Sequence, residues 1–227
     1  MRNVVFYMML AGSCACLSAC DRQAEPTVDE HAAKAREAIN QDPAVAKKVA
    51  EMNAEFAKLT PAEKAKLAAE SKKMASTLPM PLTEIGPIKV RPAGKAETSL
   101  ATMAPVGTPT VIAAWASWCI PCKIEARELA GLSKEYGSKL NIVYLNIGTP
   151  EVERVKGLEF LRETGAEQLG LTMLADADFL KLTRLDELSV PRVLVFDRTG
   201  KPTEVIVGAS PTGRDPRLTK AIEKVVL

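Results

Sequence analysis

The segment Trp115-Ala116-Ser117-Trp118-Cys119-Ile120-Pro121-Cys122 constrains the fold of this chain more than any other. Ahead of it, Thr110 to Trp115 is apolar at every position after the threonine. A short unbroken run of that kind is a strand buried on both faces. Behind it, Pro121 to Tyr136 has the spacing and composition of a helix. The strand must therefore be covered by helices, which calls for a layered α/β architecture. The rest of the sequence agrees. Asn141 to Ile147 is a second buried strand, Glu151 to Thr164 a helix, Leu171 to Leu174 a short strand and Asp176 to Glu187 a helix. Strands at Arg192–Phe196 and Glu204–Val207 follow, joined by a turn over Asp197 to Pro202. Asp215-Pro216 opens a last helix with Leu218, Ile222 and Val225 on one face. Alternation first, then a hairpin and a closing helix, predict a sheet that mixes parallel and antiparallel strands.

The cysteine pair lies where that strand gives way to the helix. Thiol–disulfide exchange requires a thiolate, and the unpaired amides and partial positive charge of a helix N-terminus stabilise one. Such a position lowers a cysteine pKa from about 8.5 into the range of about 3.5 to 7.5. Cys119, at the helix mouth, is expected to be exposed and to attack; Cys122, one turn in, is expected to resolve the mixed disulfide. A zinc site would need further ligands, and the sequence has a single histidine, His31. A structural disulfide and a two-thiolate copper(I) site are the remaining chemical alternatives. Net charge is +2 and aromatic residues make up 4% of the chain, which excludes both the basic surface and the stacking platforms of a nucleic-acid binder.

The N-terminus carries an address. Met1-Arg2-Asn3 precedes an apolar run from Val4 to Leu17, the pattern of an export signal, and too short for a spanning helix of about 20 residues. It ends in Leu17-Ser18-Ala19-Cys20, which resembles the lipobox of bacterial lipoproteins. That resemblance implies removal of residues 1–19 and lipidation of Cys20, on the periplasmic side of a membrane. Asp21 resembles an inner-membrane retention signal. Of the five cysteines, Cys14 and Cys16 leave with the signal and Cys20 carries lipid, so Cys119 and Cys122 are left as the free thiols of an oxidising compartment.

Residues 20–28 form a polar tether. Residues 29–77 turn to Ala, Lys and Glu and predict an α-helical extension. Asp42-Pro43 and Thr60-Pro61 mark helix starts, and Thr60 with Glu63 fits a capping box. Val45, Val49, Met52 and Phe56 make one apolar stripe; Leu67, Met74 and Leu78 make a thinner one. These pack on the following domain or form a homodimer surface. His31 is expected to face solvent. Between Leu78 and Thr108 the sequence predicts a linker and a hairpin that turns at Gly94.

The motif from Trp115 to Cys122 resembles the active-site segment of the thioredoxin superfamily, and more narrowly the extracytoplasmic TlpA/ResA/CcmG group. Val190-Pro191-Arg192 and the run through Gly200 form a second match. The resemblance implies a thioredoxin-like fold over residues 83–227, a mixed sheet flanked by helices, with the α-helical extension outside it. It also implies a cis Pro191 that faces the cysteines, and no cofactor or metal. Trp118, Ile120, Pro121, Val190 and Arg192 would meet a client protein's dithiol or disulfide. The catalytic set would be Cys119, Cys122, Glu125 and Pro191, with electrons from a membrane donor of the DsbD or CcdA type. Clients in cytochrome c or copper-oxidase assembly are implied by the group alone.

Glu125 falls on the same helical face as Leu129, Leu132 and Tyr136. A carboxyl there should resist ionisation and exchange a proton with Cys122; pairing with Lys123 or Arg127 is the structural alternative. Three positions depart from the family pattern. Ala113 stands where a buried Asp is common, Arg127 replaces a helix-kinking Pro, and Arg192 replaces Thr and would bring positive charge to the client groove. Disulfide reduction fits this set best. An isomerase or oxidase working through a dimerised extension, a copper(I) carrier and a scaffold lipoprotein are the alternatives.

Overall fold

The computed structural model describes residues 43–210 and 214–227. The signal segment, Cys20, the tether and His31 lie outside the described residues. Two helices come first, α1 (Pro43–Lys58) and α2 (Pro61–Ser76). The capping box at the start of α2 is formed, with the Glu63 amide donating to the Thr60 hydroxyl at 3.3 Å and the Thr60 amide to the Glu63 carboxylate at 2.7 Å. None of the residues of α2 is buried, and Phe56 and Leu67 on the anticipated stripes are exposed. No described helix is long and apolar enough to cross a membrane.

From there the chain builds one seven-stranded sheet, β1 (Lys89–Pro92), β2 (Thr98–Ser99), β3 (Thr110–Trp115), β4 (Asn141–Ile147), β5 (Thr172–Leu174), β6 (Arg192–Phe196) and β7 (Pro202–Val207). The strand order is β2-β1-β5-β4-β3-β6-β7. β3, β4 and β5 pair in parallel, while β6 and β7 on one side and β1 and β2 on the other run antiparallel to their neighbours. The hairpin of β1 and β2 turns at Gly94, as anticipated. Four helices complete the domain: α3 (Ile120–Tyr136), α4 (Pro150–Thr164), α5 (Asp176–Thr183) and α6 (Pro216–Val226). Asp215 caps α6, accepting from the Arg217 amide at 2.9 Å. The described helix α5 ends at Thr183, short of the Glu187 expected, because Arg184 takes a left-handed conformation with φ 57°. Two single helical turns, at Leu82–Ile85 and Leu100–Met103, were not anticipated; both bury one or two apolar residues in the main core.

All six residues of β3 are buried, which is why this strand can carry no polar side chain beyond Thr110. Its last residue, Trp115, stacks on Tyr144 of β4 at 4.8 Å and on Phe160 of α4 at 4.5 Å between ring centroids. Helix α4 comes this close because Gly157 has no side chain. A Cβ there would lie 3.0 Å from Leu171 Cδ1 and 3.6 Å from Trp115 Cη2. The packing fixes the end of β3, and with it the start of the cysteine loop.

Candidate active site

The loop from Ala116 to Cys119 leaves β3 and turns into α3. The Cys119 amide donates to the Ala116 carbonyl at 3.0 Å and closes the turn. Cys119 is the N-cap of α3, and its sulfur accepts the Cys122 amide at 3.3 Å. Pro121 sits in the first helical turn, where its missing N–H costs nothing. Cys119 and Cys122 are joined in a disulfide with their Cα atoms 5.3 Å apart. Cys122 is wholly buried. Cys119 is not exposed as expected, being 4% accessible, because its sulfur is drawn inward by the bond to Cys122 and the amide it caps. The exposed edge of the loop is Trp118, 64% accessible. Ile120 packs with Ile124 and Ala209 in a small cluster apart from the main core.

The Val190–Pro191 peptide bond is cis. The antiparallel pairing of Ala114 with Arg192 sets Pro191 at the end of the sheet from which the cysteine loop departs. Its carbonyl accepts the Gly208 amide at 3.0 Å, which ties this corner to the end of β7. Val190 is half-buried beside the core.

Arg192 does not bring charge to a client groove. It is fully buried, and its Nη2 donates to the Met74 carbonyl at 2.7 Å and to the Thr77 carbonyl at 3.5 Å. Nε and Nη1 have no hydrogen-bond partner among the described residues, and burial pulls the guanidinium down to about 10. The reason lies in its position, as the first residue of a strand whose five residues are all buried. The polar groups it reaches among the described residues are carbonyls at the C-terminal end of α2, the negative end of that helix dipole. Arg192 thus fastens the helical extension to the residue after the cis proline. Hydrogen bonds from a charged donor contribute about 1.5–3 kcal/mol. Arg192→Met is therefore expected to raise cleavage of α2 in limited proteolysis about tenfold or more, with the domain core left folded. Unchanged cleavage would show that α2 is held by other contacts.

Glu125 lies one helical turn below Cys122 and is 3% accessible, with no hydrogen-bond partner on Oε2 among the described residues. It is not paired with its neighbours: Lys123 meets Glu163 at 2.9 Å, and Arg127 donates to the Glu163 carbonyl at 3.4 Å. Burial, then the charges of Glu128 and Asp215, hold its carboxyl well above the usual carboxylate range. Burial, followed by the Glu125 charge, likewise raises the phenol of Tyr144, whose hydroxyl has no hydrogen-bond partner among the described residues. Glu128, a further turn along the helix, is buried too and accepts the Asp215 amide at 2.8 Å. Burial pushes it up to about 7; the Asp215 amide lowers it, the Asp215 charge raises it, and Arg214 and Arg217 lower it. The Asp215 carboxylate pairs with Arg217 at 2.6 Å. A cysteine pair and two reluctant carboxyls thus share one helix, with the inner cysteine and inner carboxyl dry. Such an arrangement can break and form a disulfide while moving a proton without bulk water.

Two buried acids, Glu128 and Glu153 beneath the loop, are not among the residues anticipated above. Both fall on the buried faces of their helices, α3 and α4, which is the signal that could have found them.

Residues 84–204, more than half of the chain, match the AhpC/TSA family. The chain belongs to the AhpC/TSA family. It is similar to the thiol:disulfide interchange protein TxlA homolog of Synechocystis sp., 39% identical over 83 residues, with 31% of this chain and 46% of that protein covered. It is also similar to thioredoxin C-2 of Corynebacterium nephridii, 43% identical over 49 residues, with 22% of this chain and 45% of that one covered. The chain thus spans about half the length of these curated relatives. Among solved structures, a thiol:disulfide interchange protein of the thioredoxin family from Chlorobium tepidum matches with a TM-score of 0.50 at 16% identity. That match covers 67% of this chain and 99% of the other. The fold of this AhpC/TSA protein is thioredoxin-like: a mixed sheet with flanking helices, the cysteine disulfide at the start of α3.

Proposed function

We propose that this AhpC/TSA protein is an extracytoplasmic thiol–disulfide oxidoreductase that reduces disulfides in client proteins. The observation that carries the reading is the disulfide at the N-terminus of α3, with the buried carboxyl of Glu125 one turn below its inner sulfur. In the reduced protein, the Cys119 thiolate attacks one sulfur of a client disulfide, and the client's other sulfur leaves and takes a proton. The thiol of Cys122 gives its proton to the Glu125 carboxylate and attacks the Cys119 sulfur. The client's second sulfur leaves as a thiolate and takes a proton, and the 119–122 disulfide forms. Two electrons pass to the client, which ends as a dithiol. A membrane dithiol donor of the DsbD or CcdA type would return them.

The exposed Trp118 and the half-buried Ile120, Pro121 and Val190 border this end of the sheet and would contact the client. Pro191 would offer client backbone a neighbour at the same corner. The lipobox-like Leu17-Ser18-Ala19-Cys20 supports lipid anchoring on the periplasmic side, with 1–19 removed, 20–28 as tether and 29–77 as an extension of the 83–227 domain. The closeness of the motif to the TlpA/ResA/CcmG group suggests clients in cytochrome c or copper-oxidase assembly.

The test is the reduction potential of the pair in the purified full chain, read after equilibration with glutathione or dithiothreitol buffers. A value near or below about −230 mV, on the thioredoxin side of the scale, is expected for a reductase. A value near about −120 mV would make the protein a disulfide donor instead. A pair that never cycles between dithiol and disulfide would end the redox reading altogether.

A further inference from the structure

Beneath the cysteine loop lies another buried acid, on a different helix from Glu125 and Glu128. Glu153, in the first turn of α4, is 1% accessible. Its Oε1 accepts the Ser117 hydroxyl at 2.7 Å, and its Oε2 accepts both the Ser117 amide at 3.1 Å and the Asn146 side-chain amide at 2.7 Å. Ser117 is two residues before Cys119, on the loop that leaves β3; Asn146 is near the end of β4. The chain after β4 closes over the carboxyl at Gly148. There φ is +131°, and a Cβ would stand 3.1 Å from Glu153 Cγ and 3.3 Å from Oε1. One side chain therefore joins the ends of β3 and β4 and the start of α4, 36 residues from the loop it holds. Its place in the first turn of a 15-residue helix adds a favourable dipole for negative charge.

We infer that Glu153 is a positioning residue which, by pinning Ser117, holds the Cys119 sulfur at the distance from Cys122 that the disulfide requires. This inference rests on the oxidoreductase reading. In the oxidised protein the disulfide itself restrains the loop. In the dithiol form the loop is restrained by its hydrogen bonds, and the two that Ser117 donates to Glu153 tie it to α4, while Asn146 ties the same carboxyl to β4. Loosening it frees the dithiol more than the disulfide, so disulfide formation then costs more conformational freedom. The pair becomes harder to oxidise and a weaker reductant, and attack of Cys122 on a Cys119 mixed disulfide slows because the two sulfurs meet less often. No atom is transferred to or from Glu153.

The hydrogen-bond pattern selects the variants. Glu153→Met keeps length and apolar bulk but accepts nothing. Glu153→Gln can keep all three bonds: its oxygen at the Oε2 position accepts from Ser117 and Asn146, and its NH2 donates to the Ser117 hydroxyl. Ser117→Ala removes a single bond and is the milder probe should Glu153→Met fold poorly. Each full-length variant is equilibrated with glutathione, and resolution of a Cys119–thionitrobenzoate mixed disulfide is followed by stopped flow. Glu153→Met is expected to shift the glutathione equilibrium about tenfold toward the dithiol, equal to a rise of ~30 mV, and to slow resolution by a similar factor. Glu153→Gln should restore most of both, and Ser117→Ala should fall between. Variants that melt earlier yet match the wild type in equilibrium and resolution rate would overturn the positioning role and leave Glu153 as a packing residue. A wild-type chain that does not exchange with glutathione would instead sink the oxidoreductase reading, so the two failures are told apart.

Discussion

Cys119→Ser is expected to reduce disulfide exchange to background, whereas Cys122→Ser is expected to attack once and stop. The asymmetry follows from where the sulfurs sit. Cys119 caps the helix and lies next to the exposed Trp118, while Cys122 is wholly buried behind it and cannot meet a protein substrate. A serine at 119 removes the attacking sulfur and leaves the other thiol enclosed. A serine at 122 leaves attack intact and removes the sulfur that would release the client, so a mixed disulfide accumulates. With a dithionitrobenzoate probe, the reduced wild type should release two equivalents of thionitrobenzoate. Cys122→Ser should release one from this pair and gain the mass of the adduct at Cys119, and Cys119→Ser almost none. Insulin reduction should be lost in both. Turnover that survives Cys119→Ser and dies with Cys122→Ser would reverse the two roles.

The parts of this molecule that the sequence discloses are those set by local chemistry. The apolar residues of β3 after Thr110 and the Ile142–Leu145 stretch of β4 mark both segments as strands, and the two elements run over Thr110–Trp115 and Asn141–Ile147. The capping box at Thr60 and the Asp215 cap are likewise written in a few adjacent residues. Long-range burial of polar groups is harder to read. Glu153 looks like one acid among several in a polar helix, yet it shares a face with Gly157, Phe160, Leu161 and Thr164, all buried. The spacing that singles out Glu125 would have singled out Glu153 had α4 been read the same way. Arg192 shows the opposite fault. A lone cation opening an all-apolar strand is more reasonably a buried donor in need of carbonyls than a surface charge, and those carbonyls belong to residues 74 and 77, more than a hundred positions earlier. The burial of Cys119 could not be read from spacing, since its sulfur is bonded to Cys122 and accepts the Cys122 amide.

Glu125→Gln is expected to slow formation of the 119–122 disulfide from a mixed disulfide by about 10²-fold or more, the range that a positioned general base contributes. The direction of its pH dependence follows from the shift. Burial, then Glu128 and Asp215, raise the Glu125 carboxyl, so it stays protonated to higher pH than an ordinary glutamate and becomes a base only above its raised value. Resolution, in which Cys122 must lose a proton, should therefore accelerate as pH rises through that value. Reductive opening, in which the Cys122 sulfur leaves and must gain one, should slow over the same interval. The neutral amide of glutamine can do neither, so both profiles should lose this inflection and keep only those of the thiols. Attack by Cys119 on the probe needs no proton from Glu125, and its rate should change little. Two-phase release of thionitrobenzoate separates the steps, the first phase reporting Cys119 and the second Cys122. A Glu125→Gln variant that slows both phases equally, with its pH inflection intact, would mean that the carboxyl only shapes the helix. Selective loss of the second phase together with its inflection would place Glu125 on the path of the proton. That outcome would also give a chemical reason for burying an unpaired carboxyl oxygen one turn below a buried thiol, a choice that stability alone opposes.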